Sequence, residues 1–291
     1  MAGPEARAAA PLVALEAITV RYPGAARPAL DGVTLTLRAG EWVSVLGANG
    51  SGKTTLARVL AGLLVPDGGE IRLFGERIAA DQASTGLRRL RRAVGMVFQN
   101  PEAQIVAATV EDDVAFGPEN LGLAAREIEA RTDAAIVRMG LDGHRHDEPA
   151  RLSGGEKQRL AIAGVLAMEP RAVVFDEASS MLDPRARRRL MGEMRREHAA
   201  GRAIVHITHD MEEARDVPRI VVLDRGRLLY DGTPAPFFEA LAAGRISPPG
   251  LLPPFWVRLV AALRAEGFPV EPERWEAEAV VEAVWRSFSN A

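Results

Sequence analysis

A strand that opens into a glycine-rich loop and then a helix commits most of a chain to one layout, and residues 41–62, EWVSVLGANGSGKTTLARVLAG, form such a stretch. The spacing Gly47-Ala48-Asn49-Gly50-Ser51-Gly52-Lys53-Thr54 fits G-x-x-x-x-G-K-[ST]. Residues 42–46 read as a short apolar strand, and residues 54–61, free of glycine and proline, read as a helix. In that setting the glycines let backbone N–H groups turn inward and approach phosphate oxygens, while the helix N-terminus adds partial positive charge at the same place. The expected nucleotide contacts are Gly47, Asn49, Gly50, Ser51, Gly52, Lys53, Thr54 and Thr55. Lys53 should reach the β- and γ-phosphates of a nucleotide, and the Thr54 hydroxyl should ligate Mg²⁺. Of 36 basic residues only two are lysines, Lys53 and Lys157. A chain that otherwise uses arginine keeps a compact ammonium where a point charge is needed.

The 291 residues, 47% of them apolar, suffice for one large domain and a small one. A formal net charge of −3 gives no global field for nucleic acid, and no such partner is expected. With no cysteine, disulfides, thiolate zinc sites and thiol catalysis are excluded together. The start, MAGPEARAAAPLVAL, has no basic segment ahead of an unbroken apolar run, and no stretch approaches about 18 apolar residues. The expectation is a protein neither secreted nor membrane-spanning.

Alternation of apolar and polar residues predicts half-buried antiparallel strands at 12–20 and 33–37. Between them Tyr22 stands in the turn Arg21-Tyr22-Pro23-Gly24, where its ring can stack on adenine or serve only the turn. Strands are also expected at 70–74 and 94–98, with LRRLRR (87–92) between them as a solvated basic helix face. Gln99-Asn100-Pro101 is a polar break at a strand end. Thr109 suits an N-cap ahead of Glu111-Asp112-Asp113, acids that belong in a first helical turn. Residues 124–139 read as a helix and 142–151 as a loop, in which His144 and His146 lack the further ligands a metal site needs. Ser153-Gly154-Gly155, at the mouth of the helical run 152–168, offers N–H groups and a hydroxyl to a second anion, although serine is also an ordinary N-cap.

The apolar run Ala172-Val173-Val174-Phe175 ends in Asp176-Glu177. Two carboxylates at the end of a buried strand are costly unless they serve a metal and a water. Asp176 is therefore expected at Mg²⁺ and Glu177 at the attacking water. Residues 202–207 form another strand, with His209 beyond it in reach of a γ-phosphate and His206 within it packed. Two short strands flank the hairpin turn Asp224-Arg225-Gly226, and 233–242 make a helix. From Gly244 the proline-rich SPPGLLPP leads to helical stretches at 255–265 and 272–288, which hold Trp256, Trp275 and Trp285. So short an appendage needs a surface to pack on.

Tyr22, GANGSGKTT, Gln99, LSGGE, VVFDE and His209, in this order, resemble the nucleotide-binding subunit of ABC transporters over residues 12–243. The resemblance implies an α/β P-loop NTPase fold of ABC type: a RecA-like core, an antiparallel β subdomain and an α-helical subdomain (about 100–168), followed by a small helical C-terminal extension, 244–291. It makes Tyr22 the adenine-stacking residue and Gln99 the Q-loop. Ser153, Gly154, Gly155 and Glu156 become the signature, Ser180-Met181-Leu182-Asp183 the D-loop, and His209 the switch histidine. Lys53, Gln99, Glu177 and His209 are then the catalytic set, with Thr54, Gln99 and Asp176 at the metal. FQNPEAQIVAATVEDDVAFGPENLGL, IAGVLAMEP and SMLDP look like the A-component ATPase of energy-coupling factor (ECF) transporters, also found in cobalt and nickel uptake systems. GLLPPFWVRLVAALRAEGFPV is similar to the extension those subunits carry, and SMLDP resembles the first of their two paralogues more than the second. Ala178-Ser179 stands where many ABC proteins have Pro-Thr, and Glu156 where Gln is commoner; neither departure touches the carboxylates.

The implied function is ATP hydrolysis that powers uptake of a vitamin or a transition-metal ion at the cytoplasmic face of the membrane. The implied partners are a second ATPase subunit, identical or paralogous, a transmembrane coupling subunit and a substrate-binding membrane subunit. In the family geometry Ser153, Gly155 and Asp183 of one chain face Lys53 of the other. The extension is expected either to hold two subunits together or to pack on its own main domain. Residues 111–113, with Ile105, Val106 and Phe116, are expected to face outward and receive arginines of the membrane subunit. A soluble ABC ATPase of DNA repair or translation fits less well: there is no cysteine for the zinc-bearing repair type, one cassette rather than two, and no long heptad insertion. A small-molecule P-loop kinase would not need LSGGE or the switch histidine.

Overall fold

The computed structural model describes residues 10–78, 83–180, 182–272, 275 and 277–289. Strands β1 (Val13–Val20), β2 (Leu30–Leu37), β4 (Gly68–Leu73) and β5 (Glu76–Arg77) form an antiparallel sheet in the order β2-β1-β4-β5. The expected alternation holds in β2, where Val33, Leu35 and Leu37 are buried and Thr34 is exposed. In β1 Val13, Ala14 and Leu15 are buried in succession and Glu16 and Ala17 are both exposed, because the pairing register shifts at a bulge there.

A second sheet has the order β10-β9-β3-β8-β7-β6. Strands β3 (Trp42–Leu46), β6 (Val94–Val97), β7 (Ala172–Asp176), β8 (Ala203–Thr208) and β9 (Arg219–Asp224) pair in parallel, and β10 (Arg227–Gly232) closes the edge as an antiparallel hairpin. Every residue of β3, β7 and β8 is buried, which is why they read as unbroken apolar runs. Their side chains alternate between two cores. Val43, Val45, Val174 and Val205 face the antiparallel sheet and helix α1 (Lys53–Leu60), whereas Trp42, Leu46, Val173, Phe175 and Ile204 face a layer of helices.

That layer contains α3 (Val110–Asn120), α4 (Ala125–Met139) and α5 (Gly154–Ala167), which pack on one another, together with α6 (Pro184–Ala199). Helix α2 (Ala83–Ala93) carries the basic LRRLRR run. Helix α6 is the main element the sequence reading does not anticipate, because six arginines in 16 residues blur its apolar period. Its start is nevertheless conventional, with Asp183 at the N-cap and Pro184 in the first turn. Residues 142–151 form two short 3-10 turns within a loop.

Beyond α7 (Pro234–Ala242), the extension folds back as α8 (Phe255–Ala265) and α9 (Ala277–Ser289). Trp275 is buried with its ring 6.4 Å from Phe238, Val257, Val260, Val270 and Val280 join the same core, and Arg264 makes a two-pronged pair with Glu239. The expected helix 272–288 begins at Ala277; residues 273, 274 and 276 lie outside the described residues. Of the three tryptophans only Trp285 is left on the surface, 74% exposed, beside Val281 and Phe288. Among the described residues no helix is long and apolar enough to cross a membrane.

Candidate active site

Four parallel strands end at one edge of the sheet, and each delivers a predicted site residue there: β3 the phosphate loop, β8 His209, β7 Asp176-Glu177, and β6 Gln99. The registers Leu46↔Thr208 and Asp176↔Ile207 bring these ends level. In the loop, glycine is obligatory at two places. A Cβ on Gly47 would lie 2.6 Å from the Leu223 carbonyl oxygen, and one on Gly52, at φ 106°, 2.4 Å from that of Ala29. Lys53 is buried and folds over its own loop, donating to the carbonyls of Gly47 (2.7 Å) and Ala48 (3.1 Å). Tyr22 Oη pairs with Thr55 Oγ1 at 3.3 Å, which sets its half-exposed ring beside the start of α1.

Glu177 is where the predicted catalytic residues meet. Its Oε1 lies 3.3 Å from Lys53 Nζ; its Oε2 accepts from Gln99 Nε2 at 3.4 Å and lies 3.5 Å from His209 Nδ1. Its backbone has φ 47°, a left-handed conformation that glutamate adopts only when the surroundings enforce it. The enforcing contact is a hydrogen bond from its N–H to the Ile207 carbonyl of β8 at 3.0 Å. Next to it, Thr54 Oγ1 donates to Asp176 Oδ1 at 3.2 Å. Burial pushes the Asp176 carboxyl up, the Thr54 hydrogen bond opposes this, and the neighbouring Glu177 charge adds to the rise. A hydroxyl beside a buried carboxylate whose charge is penalised is an oxygen pair that fits a hard divalent cation such as Mg²⁺. Gln99, expected at the metal, gives its amide N–H to Glu177.

The signature residues and Asp183 are satisfied within their own helices. Glu156 Oε2 accepts from Ser153 Oγ (2.7 Å) and from Ser153 N–H (2.8 Å), a capping box that holds the Glu156 carboxyl below its ordinary range. Asp183 accepts from the N–H groups of Ala186 (2.9 Å) and Arg185 (2.7 Å), which lower its carboxyl likewise. Nothing lies within 4 Å of where a Cβ would stand on Gly154 or Gly155. Among the described residues, no hydrogen bond or ion pair joins Ser153, Gly154, Gly155, Glu156 or Asp183 to the phosphate loop. Met181 of the expected D-loop lies outside the described residues.

The expectation of an outward acidic face at residues 111–113 is overturned at Asp113, while Asp112 is exposed and Glu111 half-buried. Asp113 is buried and accepts from the N–H groups of Val106 (2.7 Å) and Ala107 (3.0 Å). Glu111 pairs with Arg145 (2.7 Å), and Asp112 accepts from the Thr109 hydroxyl (2.6 Å). The turn leading into α3 leaves backbone donors that need acceptors, and Asp113 supplies one for two of them. The groove beyond Gln99, about 790 Å³, is instead walled by exposed Leu63, Val106 and Phe116 and rimmed by Arg88, Arg91 and Arg92. His144 bonds to Asp147 at 2.8 Å, and no cluster of His, Asp or Glu among the described residues suits a metal.

A family model of the ABC transporter matches residues 30–180. The energy-coupling factor transporter ATP-binding protein EcfA1 of Geobacillus kaustophilus is 42% identical over 283 residues, 97% of this chain and 99% of that protein. The chain belongs to the ECF transporter ATP-binding proteins. Among solved structures, cbiO1 from Clostridium perfringens, described as part of the ABC transporter complex cbiONQ, matches with a TM-score of 0.71 at 32% identity, over 81% of this chain and 94% of that one. The ATP-binding cassette MJ0796, a dimer in a post-hydrolysis state with ADP and Pi, matches with a TM-score of 0.67 at 28% identity, over 76% of this chain and 98% of that one. The ECF assignment and the ABC-type fold expected from the motifs are both met: the chain binds ATP and hydrolyses it as the ATPase of a transporter.

The sequence reading passes over Glu213, four residues beyond His209. Its side chain is 6% exposed and lies 3.3 Å from Nε2 of His206, which is fully buried as expected but beside a carboxylate. The available signal was the histidine itself, because an imidazole inside an otherwise apolar strand calls for a polar partner.

Proposed function

We propose that this ECF subunit powers uptake of a vitamin or a transition-metal ion from the cytoplasmic face of the membrane. Its partners are a second ATP-binding subunit, a transmembrane coupling subunit and a substrate-binding membrane subunit. The observation that carries the reading is the convergence of Lys53, Gln99 and His209 on Glu177, beside the Thr54–Asp176 pair. The place of cbiO1 in a transporter complex and the dimeric state of MJ0796 support the partners.

In this reading Tyr22 stacks on adenine, and the backbone N–H groups of 49–54 and the Lys53 ammonium hold the phosphates. Thr54, Asp176 and the Gln99 side-chain oxygen would hold Mg²⁺, which when bound would neutralise charge developing on the phosphoryl oxygens. A phosphate entering the loop competes with Glu177 for Lys53, and the released carboxylate polarises the attacking water. His209 and Gln99 donate hydrogen bonds to the γ-phosphate side of the site. Ser153, Gly154, Gly155 and Glu156 of a second subunit close the site, with Asp183 across the interface.

The ATP-binding domain is assigned to 12–243, its helical subdomain to about 100–168, and the extension to 244–291. The exposed Val281, Trp285 and Phe288 are the surface through which that extension joins the second subunit. The groove beyond Gln99 receives the membrane subunit; its apolar walls and arginine rim call for a segment bearing apolar side chains and carboxylates, not arginines.

Glu177→Gln tests the site. ATP binding should survive while turnover falls on the order of 10²-fold or more, and light scattering should detect an ATP-trapped dimer. Retained turnover, or a strictly monomeric profile at saturating ATP, rejects the assignment. Reconstitution with the operon partners then identifies the solute that accumulates; ATP-dependent export would reject uptake.

A further inference from the structure

The loops that carry Glu177 and His209 leave adjacent strands, β7 and β8, and the two residues themselves approach to 3.5 Å. Behind them lies a buried polar cluster. Glu213 Oε2 accepts from Ser179 Oγ at 2.9 Å and from Thr208 Oγ1 at 2.8 Å, and lies 3.3 Å from His206 Nε2. Ser179 stands two residues after Glu177, and Thr208 immediately precedes His209. Thr208 Oγ1 also accepts from the Asp210 N–H at 3.0 Å, so the chain is anchored on both sides of His209. Arg187 of α6 completes the cluster, with Nη1 3.0 Å from Asp210 Oδ2 and Nε 3.4 Å from Glu213 Oε1.

We propose that Glu213 is a positioning residue for ATP hydrolysis: its single carboxylate ties the Glu177 loop to the His209 loop, so that both side chains address the γ-phosphate with one fixed geometry. Ser179 and Thr208 are at most 2% exposed, so their hydroxyl donors have no water to fall back on and their orientation is set by Glu213. Burial pushes the Glu213 carboxyl up, but the His206 imidazole and then the two hydroxyls outweigh it and bring it down to about 2. The acceptor is therefore a carboxylate, and its hydrogen bonds are of the stronger, charge-assisted kind. Through Arg187 the cluster also reaches α6, the helix that Asp183 caps.

The inference rests on the proposed roles of Glu177 and His209, and the experiment separates the two. Ser179→Ala and Thr208→Val are nearly isosteric and each removes one donor to Glu213. Each should lower kcat several-fold, about 3- to 10-fold, with the KM for ATP within about 2-fold, and Glu213→Ala should lower kcat on the order of 30-fold, below the roughly 10²-fold cost of a 1 Å misplacement. Glu213→Gln, which keeps an acceptor oxygen, should recover part of that loss. In the Glu213→Ala background, Ser179→Ala should have no further effect, because both act through one carboxylate, and Thr208→Val should keep only the part of its loss that comes from the Thr208–Asp210 hydrogen bond. If kcat is unchanged in the two isosteric variants, or if their losses persist in full without Glu213, the positioning role is wrong even where Glu177→Gln abolishes turnover. If Glu177→Gln itself turns over normally, the reading of the catalytic pair has failed instead.

Discussion

Lys53, Asp176 and Glu177 are at most 11% exposed, and Lys53 meets Glu177 and Thr54 meets Asp176 across long sequence separations. Ser153, Gly154 and Asp183 are exposed, sit at the starts of α5 and α6, and are satisfied within three residues of themselves. The first half-site is a product of sheet register. Its geometry exists only when β3, β7 and β8 are assembled, and once assembled it is rigid. The second is a product of local helix capping. It forms wherever its helix forms, and its glycines face open space. The chain thus carries one half that is complete by itself and one half whose anion-binding elements have no counterpart among the contacts of its own loop.

The sharpest way to break that contrast is to disable the halves separately. Asp176→Asn should cut turnover by on the order of 10²-fold or more by removing the buried carboxylate beside Thr54. Gly155→Asp should do the same by setting a negative charge where phosphate is expected, while an acid in the first turn leaves the helix intact. Mixed in equal amounts, the two inactive variants should recover about a quarter of the wild-type rate, since half of the random pairs are mixed and each holds one intact site of two. No recovery in a mixture shown to form mixed pairs would mean the halves do not come from different chains.

A pH profile probes the buried side of the comparison. Because the Glu213 carboxyl is lowered from 4.5 to about 2 in the folded state, its stabilisation is fully present above about pH 4.5 and is lost as the pH falls toward 2. Glu213→Gln should flatten that part of an acid-denaturation curve; an unchanged curve would remove the ion pair from the account. Asp113→Asn should destabilise the fold by about 1 to 3 kcal/mol, since two backbone donors lose their charged acceptor, whereas Asp112→Asn should stay within about 0.5 kcal/mol. Denaturant titration reads both, and equal effects would restore the outward acidic face. The smallest change is expected at the capped half: Glu156→Ala should cost about 1 kcal/mol or less.

Much of this architecture was legible in the chain. The buried strands declared themselves as apolar runs, the phosphate loop by its glycines, and Asp176-Glu177 by being acids at the end of such a run. Helix α6 was obscured by its arginines, because solvated charges carry little periodic signal. The inward turn of Asp113 is hidden for a related reason: composition records that a carboxylate is present but not which way it turns, and Asp113 turns to backbone donors seven and six residues upstream.

By itself the sequence determined everything set by local spacing: the loop that binds phosphate, the caps of α3 and α5, the hairpin at Asp224-Arg225-Gly226, and membership of the family. Only the tertiary structure decided which residues meet. The strand order β3-β8-β7-β6 brings Lys53, His209, Glu177 and Gln99 to one edge from positions as far apart as 53 and 209, and the same packing buries Trp275 while leaving Trp285 exposed. The physical reason is that capping and turn formation draw on neighbours along the chain. Strand register and burial depend on partners whose separation in sequence carries no signal until the sheet has formed.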